Sequence, residues 1–376
     1  MSFASPRSAY VHVPFCLHRC GYCNFALVTQ RDDLIEHYLQ AIAVELSALE
    51  HRHEVDTLYL GGGTPTYLSP PCLERLCRVA LSHFSLATDY EWTVEANPGD
   101  LDEQRVEVLA SQGVNRISLG AQSFHTAKLR QLERDHDAPA IERAVELARA
   151  ASMRVSIDLM FAAPGETLDQ WLADLAAVAT LNPAHVSTYG LTFEKGTEFW
   201  NRLAKGEISQ QPEELERDMY VAAIEQLSSA GYEHYEISNF AKPREQSRHN
   251  HAYWAGDGYF AAGPGAARYV DGVRETNHRS TVQYLKRVLN GESPVAERER
   301  LTDEQRAREI LIFSLRRIDG VNRNAFSAQS GFSLDALAGD QITQCVDLGL
   351  LVDDGKSVRL SRNGLLVSDS LWPDLL

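Results

Sequence analysis

The chain has 376 residues, 44% of them hydrophobic, and carries 52 Asp and Glu against 36 Lys and Arg, a formal net charge of −16. That is material for one large α/β domain and a small second one, and it excludes a broad electropositive field of the kind that collects nucleic acid. No run of about 18 apolar residues is present to span a bilayer and no basic segment followed by an apolar one opens the chain, so a cytoplasmic protein with reduced thiols is expected, with peripheral membrane contact left open.

From the amino terminus, apolar and β-branched runs alternate with amphipathic segments, the pattern of successive βα units. Strands are predicted over 9–13, 55–60, 90–95, 116–119, 155–160 and 185–189. Helices follow them: Leu34, Ile35, Tyr38, Leu39, Ile42 and Leu46 recur at helical spacing after the first strand, and Ile141, Val145 and Leu147 contribute to the helix after the fourth. Ser69-Pro70-Pro71, Asn97-Pro98-Gly99 and Ala163-Pro164-Gly165 punctuate the units. Six units are too few to close an eight-fold barrel. The expected fold is therefore α/β, an open partial (β/α)6 TIM-like barrel with its site at the carboxy-terminal ends of the strands. Residues 1–240 are assigned to this barrel and 241–295 to a connecting segment. Residues 296–376 read as a small winged-helix-like α+β domain, with one helix over 301–317, shorter helical pieces, and a hairpin over 349–360 turning at Asp354-Gly355. Ten basic against thirteen acidic residues in this module favour a lid or protein contact over a DNA reader, and no nucleic-acid partner is expected.

Cys16, Cys20 and Cys23 stand in HVPFCLHRCGYCNF directly after the first strand. Three thiolates from one short loop can hold three irons of a [4Fe-4S] cubane and leave the fourth open to a small molecule. A closed Cys3His zinc site completed by His12 or His18 is the competing reading, and a disulfide fits poorly with a reducing compartment. Cys72, Cys77 and Cys345 lie in apolar segments and read as buried small hydrophobes. The second strand ends in Leu60-Gly61-Gly62-Gly63-Thr64-Pro65, where glycines without Cβ let backbone approach a ligand closely; on that reading Gly62→Val obstructs the ligand. Glu95 ends the third strand, Gln122 follows the fourth with Arg134 behind it, and Asp158 lies in the fifth. A carboxylate accepts from ribose hydroxyls, an amide donates and accepts, and a guanidinium pairs with a carboxylate. An adenosyl amino acid needs all three.

The segments YVHVPFC, with its CxxxCxxC continuation, GGGTPTYL, EANP, NRISLGAQSF and SIDLMFAAPGET make the chain resemble the radical SAM superfamily. Over nearly its whole length it resembles the oxygen-independent coproporphyrinogen III oxidase group, nearest the heme-chaperone branch of that group. The resemblance implies a [4Fe-4S] cluster on Cys16, Cys20 and Cys23 whose free iron is chelated by S-adenosyl-L-methionine. It also implies S-adenosylmethionine contacts from Tyr10, Tyr22, Gly62, Thr64, Glu95, Gln122, Arg134 and Asp158.

Three features separate the branches. Oxidases of the group carry a fourth cysteine two positions after the third, where this chain has Phe25, and a longer amino-terminal arm, where only nine residues precede Tyr10 here. The third feature is His249-Asn250-His251-Ala252-Tyr253-Trp254, which fits the HNxxYW pattern resembling the proposed heme site of the chaperones. Imidazole is a common axial ligand of heme iron and aromatic rings offer a macrocycle flat apolar surface. Heme contacts are thus expected from His249, Asn250, Tyr253 and Trp254, with His251 a second candidate ligand; a hydrogen-bonded core cluster is the alternative for the same run. The expected function is a heme chaperone that binds heme, the cluster and S-adenosylmethionine, passes heme to an acceptor protein, and draws on an electron donor for the cluster. Radical oxidative decarboxylation of coproporphyrinogen III is the enzyme alternative, and a zinc-stabilised DNA-binding regulator is a third reading. Ala162-Ala163 stands where the family commonly has Gly-Leu before its Pro, a change expected to touch the barrel rim and not the chemistry.

Overall fold

In the computed structural model, which describes residues 5–376, six strands follow one another in parallel order: β1 (Ser8–Val13), β2 (His53–Gly62), β3 (Phe84–Ala96), β4 (Arg116–Gln122), β5 (Arg154–Phe161) and β6 (His185–Gly190). Each predicted strand is present and runs somewhat longer than its apolar pattern. Successive side chains of a strand point to opposite faces, and here the two faces differ in chemistry. Ala9, Val11 and Val13, Leu58 and Leu60, Trp92 and Val94, Ile117 and Leu119, Val155, Ile157 and Leu159, and Val186 all enter one buried apolar cluster. Helices α1 (Ile35–Ser47), α2 (Pro70–His83), α3 (Glu103–Gln112), α4 (Thr126–Gln131), α5 (Ala138–Ala150) and α6 (Leu168–Leu181) lie between the strands in the chain. Leu39, Leu73, Leu109, Ile141 and Leu175 of these helices pack into the same cluster. The alternate positions, among them Tyr59, Thr93, Glu95, Ser118, Ser156, Asp158 and Ser187, line a cavity instead. A face this polar cannot be sealed under helices without leaving groups unbonded, so it becomes the inside of an open barrel.

Helix starts follow local chemistry. Asp102 and Asp137 accept from the backbone of α3 and α5, and Thr167 with Gln170 forms a full capping box on α6. After β6 come α7 (Glu198–Ala204) and α8 (Glu213–Ser229), then β7 (Glu233–Glu236) and β8 (Asn239–Ala241), which extend the sheet antiparallel beyond β6.

Residues 241–295, read from sequence as a connection, contribute three strands to the barrel sheet. After α9 (Arg248–Trp254), β9 (Tyr259–Ala262) pairs parallel with β1, and β10 (Ala267–Val270), β11 (Val273–Asn277) and β12 (Val295–Arg300) continue as an antiparallel meander, with α10 (Thr281–Leu289) before the last strand. The result is one twelve-stranded sheet whose edges are β12 and β7. The edge strand β12, Val-Ala-Glu-Arg-Glu-Arg, is almost wholly exposed, a charged edge that discourages further pairing and gives no apolar strand signal.

The carboxy-terminal module has its own core, including Ile310, Leu311, Leu315, Phe326, Leu337 and Val358. The helix predicted over 301–317 is α11 (Asp303–Leu315), opened by a Thr302–Gln305 capping box. A three-stranded sheet of β13 (Val321–Asn322), β14 (Leu351–Asp353) and β15 (Ser357–Leu360) contains the predicted hairpin, and α12 (Arg323–Ser330) and α13 (Leu334–Asp347) lie between β13 and β14. Ile237 of the barrel packs on this core and its N–H donates to the Arg316 carbonyl at 3.1 Å. Of the three cysteines read as buried hydrophobes, Cys77 and Cys345 are buried, and Cys72 is partly buried, packed against the barrel core.

Candidate functional site

The loop after β1 is tied down over its whole length. Phe15–Cys16 pairs with Val28–Thr29, the Cys23 N–H donates to the Cys20 carbonyl at 2.9 Å, and the Arg19 guanidinium donates to the carbonyls of Cys23, Phe25 and Leu27 at 3.3, 3.4 and 2.7 Å. Cys16, Cys20 and Cys23 line one cavity of about 1000 Å³. Two donors reach their sulfurs: Thr64 Oγ1 lies 3.3 Å from Cys16 Sγ, and Arg134 Nη1 donates to Cys20 Sγ at 3.5 Å. Burial pushes the Cys16 thiol up to about 12 and raises Cys23 as well. Protein alone therefore favours the protonated form of Cys16 and Cys23, and bound metal cations are what would convert them to thiolates.

Among the described residues no three His, Cys, Asp or Glu side chains are grouped as ligands of one ion. Three cysteines on one cavity wall, with hydrogen-bond donors to two of the sulfurs, fit a cluster in which each thiolate takes a different iron. His12, which could have completed a zinc site, has both ring nitrogens engaged, by Tyr10 Oη at 3.0 Å and the Ala26 carbonyl at 2.7 Å. His18 Nε2 bonds the Glu133 carbonyl.

Gly62 and Gly63 line the cavity, but the side on which a Cβ would stand is filled by protein at each glycine of the run. A Cβ on Gly61 would sit 2.8 Å from the Glu95 carboxylate, and one on Gly62 would sit 2.3 Å from the His12 ring, with φ already at +111°. The obstruction expected of Gly62→Val is therefore a collision with His12, not with a ligand. The Gly62 N–H and the Tyr59 hydroxyl each donate to Glu95 at 2.8 Å. Burial outweighs these two bonds and lifts the Glu95 carboxyl to about 7. Asp158 is likewise raised by burial, with Ser118 Oγ 3.2 Å away. Arg134 Nη2 donates to Asn97 Oδ1 at 2.7 Å and to the Gly120 carbonyl at 2.8 Å, and its Nε is buried with no partner. Gln122 lines the cavity from a backbone held at φ +65°, just past a register break between β4 and β5.

Tyr22, Gly62, Thr64, Glu95, Gln122, Arg134 and Asp158 thus share the cavity with the three cysteines. Tyr10 does not. Its ring lies in a second cavity of about 280 Å³ with Tyr253 and Arg279, while Tyr59, 6.0 Å from it ring to ring, lines the larger one. Tyr59, Asn97, Ser118, Ser187 and Tyr189 also line the site and were missed from sequence. Strand parity was the signal for three of them: Ser118 lies two residues from Arg116, and Ser187 and Tyr189 lie two and four residues from His185, all lining the cavity.

The HNxxYW run is divided among several environments. It forms α9, whose Ser247 cap accepts from Asn250 N at 3.2 Å. The helix seals the strand-start end of the barrel, opposite the cysteine loop: Glu91 accepts from the N–H of His249 at 3.1 Å and pairs with Arg116 at 3.3 Å. His249 is 2% exposed, its Nδ1 bonds Thr57 Oγ1 at 2.8 Å, its Nε2 bonds Tyr253 Oη at 3.0 Å, and its ring stacks on Tyr59. Both of its nitrogens are thus engaged by protein groups, the arrangement expected of the core-cluster alternative. His251 Nε2 bonds Gln246 Oε1 at 2.7 Å, and this imidazole is not in the wall of either cavity. Asn250 lines the large cavity and Tyr253 the small one. Trp254 packs outward on Phe313 of α11, under the Arg316 guanidinium. The run does not form one flat seat for a macrocycle.

Comparison with known proteins agrees with this architecture. Residues 10–178 match the radical SAM superfamily and residues 301–367 the HemN C-terminal domain. The heme chaperone HemW of Lactococcus lactis subsp. lactis (strain IL1403) is 36% identical over 99% of this chain and 97% of its own length, and that of Escherichia coli (strain K12) is 34% identical over 96% and 97%. Coproporphyrinogen III oxidase (HemN) from Escherichia coli, a radical SAM enzyme, superposes with a TM-score of 0.86 over 99% of this chain and 90% of its own, at 24% identity, which speaks to the fold. With full-length relatives above 30% identity and the expected barrel and module both present, the chain belongs to the HemW family of the radical SAM superfamily.

Proposed function

We propose that this protein is a heme chaperone that holds a [4Fe-4S] cluster on Cys16, Cys20 and Cys23, binds S-adenosylmethionine beside it, and carries heme for delivery to an acceptor protein. The observation that carries this reading is the continuity of one cavity. It reaches from the three cysteines, across the polar inner face of the strands, to Arg316 and residues 365–370 of the carboxy-terminal module, and its volume of about 1000 Å³ is at the upper end for ligand pockets. When bound, such a cluster with one open iron supplies one-electron chemistry at the sulfonium of S-adenosylmethionine, which requires an electron donor as a partner. The chain's own residues bind and orient. Glu95 is fixed by Tyr59 and the Gly62 N–H, Asp158 and Gln122 present an acceptor and an amide to an adenosyl group, and Arg134 braces Cys20.

The relatives named heme chaperones support heme as the cargo. Phe25, 63% exposed at the position where the oxidase branch has its fourth cysteine, supports the chaperone over the oxidase. A cytoplasmic setting is part of the proposal; no helix among the described residues is long and apolar enough to cross a membrane. The test is anaerobic reconstitution with iron and sulfide, S-adenosylmethionine binding, then hemin titration at the Soret band and transfer to an apo-acceptor. Saturable, near-stoichiometric hemin binding with transfer supports the reading. Conversion of coproporphyrinogen III by the cluster-replete protein overturns it in favour of the oxidase, and one bound zinc without iron-sulfur absorbance overturns both.

A further inference from the structure

The cavity wall contains a cation that the protein itself leaves unpaired. Arg316 follows α11 and lines the cavity, yet among the described residues no carboxylate lies within ion-pair distance of it and no hydrogen bond satisfies its guanidinium. Its Nε is buried without a partner. The group it does touch is Trp254, whose indole ring lies 4.6 Å from the guanidinium carbon, a cation–π arrangement that holds a guanidinium flat while leaving its edge free to bond. Tyr220 and Ile237 line the same wall, joined by a hydrogen bond of 2.7 Å between the Tyr220 hydroxyl and the Ile237 carbonyl. Glu236 interacts electrostatically with Arg316 from outside ion-pair distance and is engaged by Asn239; Glu213, Glu216 and Asp369 also line the cavity without an ion pair to Arg316.

Large apolar side chains are exposed around the same cavity, among polar ones. Among the described residues nine large hydrophobics are exposed, and four of them, Leu17, Phe25, Tyr189 and Val367, line this one cavity. Exposed apolar surface gathered around a concave site marks a ligand or partner with apolar faces. An unpaired guanidinium on the same wall adds one demand: the ligand carries a carboxylate.

We propose that Arg316, held flat by Trp254, anchors a propionate of the tetrapyrrole cargo in the space between the barrel mouth and the carboxy-terminal module. This rests on the heme-chaperone reading above. It also gives the HNxxYW run a role its geometry allows. His249 and Glu91 fix α9 to the barrel floor, and Trp254 at the end of that helix positions the cation, so the run contributes to binding without supplying an axial ligand. Trp254 is a positioning residue; Arg316 is the binding group.

The experiment compares hemin with hemin dimethyl ester, carried in the same detergent, on cluster-reconstituted full-length protein by Soret titration. Wild type, Arg316→Gln, Arg316→Lys and Trp254→Phe are titrated, with S-adenosylmethionine affinity and iron content measured on each. A charge-assisted hydrogen bond predicts that wild type prefers hemin to its ester by about 10-fold or more. Arg316→Gln lowers hemin affinity by that factor, leaves ester affinity unchanged and so abolishes the preference; Arg316→Lys keeps part of it; Trp254→Phe reduces it. A purely structural role for Trp254 would weaken both ligands alike. Hemin binding that is saturable but keeps its preference over the ester in Arg316→Gln overturns this assignment while leaving the chaperone reading intact. A loss of S-adenosylmethionine affinity in place of hemin affinity also overturns it. Absence of saturable hemin binding in wild type overturns the chaperone reading itself.

Discussion

His249→Ala separates the two roles that an HNxxYW histidine can have. In this structure the imidazole is a buried linchpin: Nδ1 and Nε2 are bonded to Thr57 and Tyr253 at 2.8 and 3.0 Å, and the ring stacks on Tyr59 and meets Tyr253 edge-on. Removing it deletes two hydrogen bonds worth about 1 kcal/mol each and leaves two hydroxyls in the interior without that partner. It also opens a ring-sized void, and large-to-small changes in cores cost about 2–5 kcal/mol. Part of the void will collapse, so the expected loss is about 3–5 kcal/mol in all. Anaerobic urea denaturation of the cluster-free protein reads this as a lower midpoint at constant slope. Hemin titration of the folded variant should show affinity within about threefold of wild type, a small free-energy change on the affinity scale. A variant as stable as wild type that no longer binds hemin would refute the argument and restore His249 as an axial ligand.

Other outcomes follow from the same geometry. His12, His136, His234 and His249 are each depressed to about 4 by burial, and His185 is lowered as well; unfolded, they take up protons near pH 6.5, so their contribution to stability is lost as pH drops from 6.5 towards 4. Glu95 and Glu236, raised to about 7, act in the opposite sense, as do Glu45, Asp100, Asp158, Glu166, Glu216 and Asp257, also raised by burial; the histidine share is read from His234→Gln, whose deficit in urea midpoint should narrow as pH drops below 6.5, and a deficit independent of pH would contradict this. Gly62→Ala should lose most folded protein because its Cβ meets His12 at 2.3 Å and φ is +111°; His12→Ala in the same chain should recover part of the yield, and no recovery would show that backbone strain alone is responsible. Arg134→Lys removes the fork that joins Cys20, Asn97 and Gly120, so the reconstituted cluster should bleach several-fold faster under chelator, an effect expected of lost charge-assisted bonds to sulfur; unchanged bleaching would place Arg134 outside the cluster's support.

The Ala162-Ala163 departure has a conformational explanation. Ala162 sits at φ +61°, in the left-handed region where glycine is at ease and an L-residue is strained by about 1–2 kcal/mol, which accounts for a glycine being common there. The turn is held in place by Glu166, which accepts from the Ala163 N–H at 2.9 Å and is itself paired with buried Lys128. The effect is thus on the rim, at the exit of β5, next to Asp158 and Met160.

Local pattern alone determined the six parallel strands, the helix and hairpin of the last module, and the cysteine loop, because periodicity, turn residues and ligand spacing are properties of neighbouring residues. The α/β open-barrel fold followed from counting those units. What periodicity could not show was the edge of the sheet, since β12 is a charged strand whose partner lies about twenty residues away across α10. Nor could it show which polar residues face one another. Tyr59 and Glu95 are 36 positions apart, and Arg134 and Cys20 are 114 apart; they meet because parallel register brings strand ends to one mouth. The HNxxYW run shows the limit most clearly. Its composition suits a heme ligand, but only the tertiary structure, which places Thr57, Tyr253 and Glu91 around His249 and Trp254 beneath Arg316, decided that the imidazole is already bonded and that the free group on the cavity wall is an arginine.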